Sequence, residues 1–277
     1  MCALSLAEFM KLEPEPVPMI VGRGVLPVRG KMIIGAPPKS NKSFVVLNLG
    51  IALAKGTQPF NAVYKNGTPV YPVSKPWRVL YIEQENGDTE TQKRLRGFAD
   101  AVDIPLFIKT RDTDMRLDTP EGCDVIRAEV AETHPDVVIF DPLMKFHLQD
   151  ENSAQEMSYV LRKVDHIIED FKCAVILVHH TKKPNALDPA RGGDRLRGSS
   201  AIFADVDTLI ELERLSTEHV KEPILQLSLE MRHGEPIPQY MFKRLASGEV
   251  IFMGEDFLFG GKEDRHGRKA FRKYSDG

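Results

Sequence analysis

The stretch Gly35-Ala-Pro-Pro-Lys-Ser-Asn-Lys-Ser43 decides the fold of this chain. It lies between an apolar run, residues 31–34, which predicts a strand, and the run Phe44–Ala54, which predicts an amphipathic helix. A loop in that position leads into a helix N-terminus, where unpaired N–H groups and the positive end of the helix dipole attract anions. The stretch therefore predicts a phosphate-binding loop. The alternative interpretation is a structural turn that carries a lysine.

Two side chains at the start of the predicted helix indicate what this loop would bind. Lys42 would offer a cation to the β- and γ-phosphates of a nucleotide, and Ser43 a hydroxyl to Mg²⁺. The strict pattern G-x-x-x-x-G-K-[ST] is not met, because Ala36 and Asn41 stand where it has glycines. Asn tolerates left-handed backbone well, so we expect Asn41 to keep the loop geometry. The other predicted nucleotide contacts are Gly35, Pro38, Lys39, Ser40 and Phe44.

Two acidic positions follow apolar runs, at the predicted ends of strands where an α/β sheet binds its ligands. Glu85 lies beyond the strand 78–83 and is our preferred residue for polarising the water that attacks the γ-phosphate. Glu83 lies on the same side of the extended chain and is the second choice. Asp141 ends the run Val137–Phe140 and is predicted to hold Mg²⁺. The alternatives are surface carboxylates and, for Asp141, a turn before proline.

Two further candidate residues, a histidine and an arginine, also lie at the predicted ends of strands. His180 ends the apolar run Val175–Val178 and is predicted to sense the γ-phosphate, although a strand-end histidine is often only a polar residue with a satisfied side chain. His179 and His180 have no partner at metal-ligand spacing, so we do not predict a metal site there. Arg232 ends a later predicted strand and is interpreted either as an arginine acting on a neighbouring subunit's nucleotide or as a surface residue.

A long polar segment, residues 182–197, follows His180 and carries an excess of positive charge. Basic side chains on flexible backbone suit the phosphates of single-stranded nucleic acid. A solvated surface loop is the alternative interpretation. The predicted DNA contacts are Lys182, Lys183, Arg191, Arg195 and Arg197.

The order of the predicted elements indicates an α/β fold. Strands 31–35, 78–83, 105–109, 136–141 and 173–179 alternate with helices 42–55, 88–102, 121–133 and 153–171. Almost continuously apolar strands are typical of a parallel sheet covered on both faces. Partly alternating strands at 207–213, 224–230, 240–245 and 250–252 predict an antiparallel extension. We expect one domain at 27–258, an irregular Pro-rich arm at 1–26 and a basic, disordered tail at 259–277.

Composition narrows the class of protein further. The chain has 277 residues and a formal net charge of −3, which argues against a protein that coats nucleic acid uniformly. No apolar run reaches the ~18–20 residues needed to span a bilayer, and the first residues lack a secretory leader. The three cysteines are widely spaced. We therefore expect reduced thiols, a cytoplasmic protein and no membrane partner.

Taken in order, these segments resemble the RecA-fold P-loop ATPases of the plasmid RepA-type hexameric replicative helicase family, which is related to DnaB-type helicases. The resemblance runs from about Pro27 to Arg232. It is carried by Pro37–Ser43, Val79–Asn86, Val137–Asp141, Leu177–Lys183 and Arg197–Ser200. The His-His strand end and the Arg-Gly-Ser-Ser helix start are its most specific parts.

This resemblance implies a RecA-like core that hydrolyses Mg-ATP, with Glu85, Lys42 and Arg232 as catalytic residues. It implies a homo-oligomer, a hexameric ring with ATP at the subunit interfaces. His180 would couple the nucleotide to single-stranded DNA in the channel. The expected function is a helicase or translocase in the replication of a plasmid, phage or other mobile element, with a replication initiator or primase as a further partner.

Two other functions stay open at the level of sequence. The substitution at Asn41 and the small size of the chain favour a DNA-binding or assembly module that ATP switches, with little hydrolysis and no unwinding. A P-loop kinase would transfer phosphate to a small acceptor, but the chain has no recognisable acceptor-binding lid.

Overall fold

The computed structural model describes residues 3–13, 15–97, 103–181, 200–216 and 220–255. The strands are β1 Met19–Val21, β2 Leu26–Pro27, β3 Lys31–Ala36, β4 Val79–Glu83, β5 Leu106–Thr110, β6 Val137–Asp141, β7 Ala174–His180, β8 Thr208–Arg214, β9 Ile224–Met231, β10 Tyr240–Arg244 and β11 Val250–Phe252. The helices are α1 Leu6–Phe9, α2 Lys42–Lys55, α3 Asp88–Arg96, α4 Pro120–Thr133, α5 Ala154–Phe171 and α6 Ser200–Asp205.

Nine of these strands form one sheet in the order β11-β10-β9-β8-β3-β7-β6-β4-β5. The strands from β8 to β5 in this order pair in parallel, so their carboxyl ends meet at one edge. Strands β9, β10 and β11 extend the sheet by antiparallel pairing. The fold is therefore the mostly parallel α/β sheet with a C-terminal antiparallel extension that the sequence predicts. It is consistent with a RecA-like P-loop domain.

Apolar side chains cover both faces of this sheet. Met32 and Ile34 of β3 pack with α2 on one face, whereas Ile33 packs with α4 and α5 on the other. Successive strand residues point to opposite faces, so a strand buried on both sides needs apolar residues at every position. This burial explains why the strands are continuous apolar runs in the sequence.

The segment that the sequence assigns to an irregular arm, residues 1–26, contains regular structure. A capping box between Ser5 and Glu8 starts the short helix α1, whose residues are exposed. Strands β1 and β2 pair with each other, and Ile20 and Leu26 are fully buried in the core. The expected irregular arm is thus interrupted by a short hairpin that belongs to the core. The limits 27–258 of the domain stay a prediction.

The remaining differences are small. Helix α3 ends at Arg96, short of the predicted 102, and residues 98–102 lie outside the described part of the chain. The basic tail 259–277 also lies outside it. Among the helices that the structure describes, none has both the length and the apolar character needed to cross a bilayer.

Candidate functional site

The loop between β3 and α2 places two residues in the left-handed region of the backbone. Lys39 has a φ of 62°, and Asn41, the N-cap of α2, has a φ of 72° and a ψ of 24°. The Asn41 side chain makes no capping hydrogen bond, and the first turn of α2 contains no acidic residue. The first N–H groups of this helix and its positive dipole end are therefore available to an anion.

The two departures from the glycine pattern have different consequences. Asn41 adopts left-handed backbone, as expected from its residue type. Ala36 is the last residue of β3, is fully buried and accepts a hydrogen bond from Thr181 N at 3.1 Å. It does not have a positive φ, so the conformational freedom of glycine is not needed at this position.

The Lys42 ammonium lies inside the loop and is 8% exposed. Its Nζ donates to Ala36 O at 3.2 Å and Pro37 O at 3.1 Å, and lies 3.1 Å from His180 Nδ1. Burial lowers the pKa of Lys42 to about 8, against the opposing effect of the Asp141 and Glu85 carboxylates. The ammonium is thus held by neutral carbonyl groups and an imidazole.

A hydroxyl and a carboxylate meet behind the loop. Asp141 is buried, and its Oδ2 accepts a hydrogen bond from the Tyr81 hydroxyl at 2.6 Å. Burial raises the pKa of Asp141, while hydrogen bonding with the Tyr81 and Ser43 hydroxyls and the Lys42 charge oppose the rise. Hydroxyl and carboxylate oxygens are ligands that Mg²⁺ prefers, so this pair fits a divalent cation.

The two glutamates near the end of β4 have different surroundings. Glu85 is exposed and lines the cavity at the loop. Glu83 is 1% exposed, and its carboxylate accepts hydrogen bonds from the backbone of Glu85 and Asn86. The preferred candidate for the water-orienting base is therefore the one that faces the cavity. Its role stays a prediction.

A cavity of about 540 Å³, a size typical of small-molecule sites, lies at the loop. Its lining consists of Pro38, Lys39, Ser40, Asn41, Lys42, Ser43, Phe44, Glu85, Asn86, Arg94 and His180. Within the described residues, Ser40 Oγ and Asn41 Nδ2 are buried without a hydrogen-bond partner. Unpartnered polar groups beside an exposed helix N-terminus and a buried lysine fit the phosphates of a nucleotide.

Asn86 and Arg94 belong to this lining, and sequence reasoning missed both. Arg94 Nη2 donates to Asn86 Oδ1 at 3.2 Å, and the Arg94 guanidinium lies 5.6 Å from the centre of the Phe44 ring. No sequence signal separates Arg94 from Lys93 and Arg96 on the same helix. Only the packing of α3 against the loop selects it.

The hairpin of β10 and β11 contacts α2, the helix that follows the loop. Asn48 of α2 is buried, donates to Gly248 O at 3.1 Å and accepts from Val250 N at 3.0 Å. The Arg244 guanidinium lies 4.8 Å from the centre of the Phe44 ring. The turn between β10 and β11 is therefore attached to the middle of α2, and Arg244 of β10 contacts its first turn.

Arg232 does not join this site. The register pairs Met32 with Thr208 and Thr208 with Met231, so the end of β9 lies at the same edge of the sheet as the start of β3. Arg232 Nη2 donates to Ala204 O at 2.6 Å, at the edge of the sheet opposite the loop. Its chain position predicted a strand end correctly, but β9 runs antiparallel and carries that end away from the site.

The predicted DNA contacts Lys182, Lys183, Arg191, Arg195 and Arg197 lie outside the described residues. His180 is the last strand residue before them, and Thr181 pairs with the end of β3 through the hydrogen bond to Ala36. Strand β7 therefore ends beside Lys42.

Comparison with known families agrees with this geometry. Residues 2–186, more than half of the chain, match the family model of the AAA domain. The match contains the loop and the candidate residues Glu85, Asp141 and His180. This family implies binding of ATP and a divalent cation, which the groups around the cavity fit. The chain therefore belongs to the AAA domain family of P-loop ATPases.

Proposed function

We propose that this protein is a helicase or translocase of the RepA-type family, which hydrolyses Mg-ATP and acts on single-stranded DNA during replication of a plasmid, phage or other mobile element. The observation that supports it best is the contact of 3.1 Å between Lys42 Nζ and His180 Nδ1. It joins the phosphate-binding loop to β7, which leads directly into the basic segment 182–197. A bound phosphate that draws the Lys42 ammonium away from His180 would remove this contact from the end of β7, next to the start of that segment.

The residues predicted from the sequence at or behind the cavity have distinct roles in this proposal. Lys42 and the N–H groups of the loop bind the phosphates, and Ser43 and Asp141 hold Mg²⁺. The bound cation supplies neutralisation of phosphate charge. Glu85, exposed in the cavity, orients the attacking water and accepts its proton. His180 responds to the occupant of the γ-phosphate position.

The proposed assembly is a homo-hexameric ring with ATP at the subunit interfaces. Arg232 lies at the opposite edge of the sheet from the loop of its own chain, so a role in hydrolysis requires the site of a neighbour. Arg232→Ala should therefore reduce ATP turnover while leaving nucleotide binding to the isolated subunit unchanged. Equal turnover in the oligomeric variant and the wild type would remove Arg232 from the mechanism.

ATPase activity measured with and without single-stranded DNA, across salt concentrations, tests the motor. We expect stimulation by DNA that weakens steeply as salt rises, because phosphate contacts release counterions. Lys42→Ala and Glu85→Gln should abolish turnover, and Glu85→Gln should keep nucleotide binding. A strand-displacement assay then separates unwinding from translocation. Turnover that ignores single-stranded DNA at every salt concentration would contradict the motor.

A second function is an ATP-switched DNA-binding or assembly module with little hydrolysis. The Asn41 side chain favours it, because this amide occupies the cavity wall where the phosphate-loop pattern has glycine. Native mass and ATPase measured on the same sample separate the two functions. Nucleotide-dependent assembly without turnover supports the switch, whereas turnover stimulated by DNA supports the motor.

A further inference from the structure

Glu83 is a buried carboxylate that no mechanism described above uses. It is the last residue of β4, whose other four residues are buried and lack acidic groups, and it is 1% exposed. No Lys or Arg of the described ranges forms an ion pair with it. Burying a carboxylate without a cation costs several kcal/mol of folding free energy unless hydrogen bonds offset it. The position therefore needs an explanation.

Among the described residues, the hydrogen bonds to the Glu83 carboxylate come from Glu85 and Asn86, which shape the adjacent turn. Its Oε1 accepts from Glu85 N at 3.0 Å, Asn86 N at 2.7 Å and Asn86 Nδ2 at 2.7 Å. Its Oε2 accepts from Asn86 N at 2.8 Å. Burial raises the pKa of Glu83, and these N–H donors oppose the rise by favouring the charged form. The turn closes around the carboxylate, with Glu85 on its outer side.

The same hydrogen bonds reach the next wall of the cavity. Because Asn86 Nδ2 donates to Glu83, Asn86 Oδ1 points the other way and accepts from Arg94 Nη2 at 3.2 Å. Glu85, Asn86 and Arg94 all line the cavity at the loop. The Glu83 carboxylate thus holds the backbone of Glu85 and the side chain of Asn86. Through Asn86 it also holds the guanidinium of Arg94.

We propose that Glu83 is a positioning residue for ATP hydrolysis, which holds Glu85 at the place from which it orients water and keeps Asn86 and Arg94 on the cavity wall. This inference rests on the proposed function. A displacement of about 1 Å in a reacting group can cost on the order of 100-fold in rate. Loosening the turn should therefore lower kcat, while the phosphate-binding loop keeps its affinity for nucleotide.

The variant Glu83→Gln keeps the size of the side chain and places an amide N–H against Asn86 N. The matched control is Asp136→Asn, since Asp136 accepts Arg78 N at 2.8 Å at the opposite end of β4, away from the cavity. Asn86→Ala is the second variant if Glu83→Gln fails to fold. For each protein we would measure kcat and KM for ATP, the Kd for a fluorescent ADP analogue, the Tm, and amide exchange of a peptide covering residues 84–86 without nucleotide.

Glu83→Gln should exchange the amides of Glu85 and Asn86 faster and lower kcat about 10- to 100-fold, with a Kd within about threefold of wild type. Asp136→Asn should lower the Tm and leave kcat unchanged. Unchanged amide exchange in Glu83→Gln overturns the inference. So does faster exchange with kcat within about twofold of wild type, because Glu83 would then be only structural.

Failure of the proposed function has a different signature. If the wild-type protein does not hydrolyse ATP, or if Glu85→Gln hydrolyses it at the wild-type rate, the assignment of Glu85 fails. Amide exchange in Glu83→Gln then tests alone whether Glu83 orders the turn. Faster exchange of the Glu85 and Asn86 amides supports this role, and unchanged exchange overturns it.

Discussion

Two buried lysines lie at opposite ends of the same strand, and they differ in what surrounds them. Lys31, at the start of β3, is 4% exposed, and its Nζ pairs with Asp165 at 2.6 Å and also with Asp205. Lys42, just beyond the other end, is 8% exposed and hydrogen-bonds to neutral carbonyl groups and an imidazole. The first ammonium has its counter-charge within the chain. The second lacks a carboxylate at hydrogen-bonding distance among the described residues.

This difference separates a lysine that is paired with carboxylates from one whose hydrogen-bond partners leave its charge available to an added anion. A buried charge with carboxylate partners is satisfied, and removing it leaves those partners without their cation. A buried charge with neutral partners is stabilised less and gains most from an added anion. The contrast yields four tests, beginning with the largest effect, and a fifth test concerns the two positions where the loop pattern has glycine.

Replacing Lys42 by Met should weaken ATP binding by about 100-fold, because hydrogen bonds from a charged donor contribute about 1.5–3 kcal/mol each. Lys31→Met is the matched control, and its folded fraction should bind ATP as the wild type does. Titration of a fluorescent nucleotide analogue measures both affinities. Equal affinity in Lys42→Met and the wild type would show that the loop does not use this cation.

Of the same two variants, only Lys31→Met should lower the stability of the fold. Lys31→Met should lower the free energy of unfolding by about 2 kcal/mol, a value below the usual cost for buried pairs because both carboxylates are partly exposed. Lys42→Met should raise the stability or leave it unchanged at pH 7. Chemical denaturation measures both.

The stability difference between Lys42→Met and the wild type should also depend on pH. The pKa of Lys42 is about 8 in the folded chain, below its ordinary value of 10.5. Between these values the unfolded chain binds more protons, so wild-type stability rises with pH there and the advantage of the variant shrinks. A constant difference from pH 7 to about pH 10 would contradict the lowered pKa.

Nucleotide binding should take up a proton in the alkaline range. At about pH 9, one unit above its pKa, Lys42 is mostly neutral in the free protein, and the phosphates of a bound nucleotide favour its charged form. Calorimetry with ADP, without divalent cations and in buffers of different ionisation enthalpy, should show uptake approaching one proton per site. Lys42→Arg is the control, because arginine stays charged and should take up none.

The smallest effects should distinguish the two replaced glycines. Asn41→Gly should raise stability by up to about 1 kcal/mol, since its φ of 72° favours glycine. Ala36→Gly should lower stability by about 0.5–1 kcal/mol, because Ala36 lies within a strand. Thermal unfolding of both variants checks the signs. A stabilising Ala36→Gly would mean that the loop is strained at both positions.

Much of this molecule is predictable from local pattern. The parallel strands and the helices between them follow from apolar runs and helical periodicity, and the antiparallel strands near the C-terminus follow from alternation. The rule that ligands bind at the carboxyl ends of parallel strands places Lys42, Glu85, Asp141 and His180 together. The preference for Glu85 over Glu83 rests on the same rule and agrees with their exposure.

What escapes the pattern depends on pairing and packing between distant segments. Arg232 is at a strand end, but the antiparallel direction of β9 takes it to the far edge of the sheet. The short strands β1 and β2 lie among prolines and glycines that signal irregular chain, and only burial of Ile20 and Leu26 shows them as part of the core. Asn86 and Arg94 join the cavity through hydrogen bonds that no residue spacing indicates.

The hydrogen bonds of Asn48 to the β10–β11 turn affect how short a fragment of the chain can be and still fold. The stretch related to the AAA domain ends at residue 186, yet the helix carrying Lys42 and Ser43 is fastened to backbone atoms of Gly248 and Val250. A fragment cut at the family boundary would lose the hydrogen-bond partners of Asn48 in helix α2 and leave its buried amide unsatisfied. The β10–β11 hairpin therefore supports helix α2 of the stretch that matches the AAA domain, although the hairpin itself lies beyond residue 186.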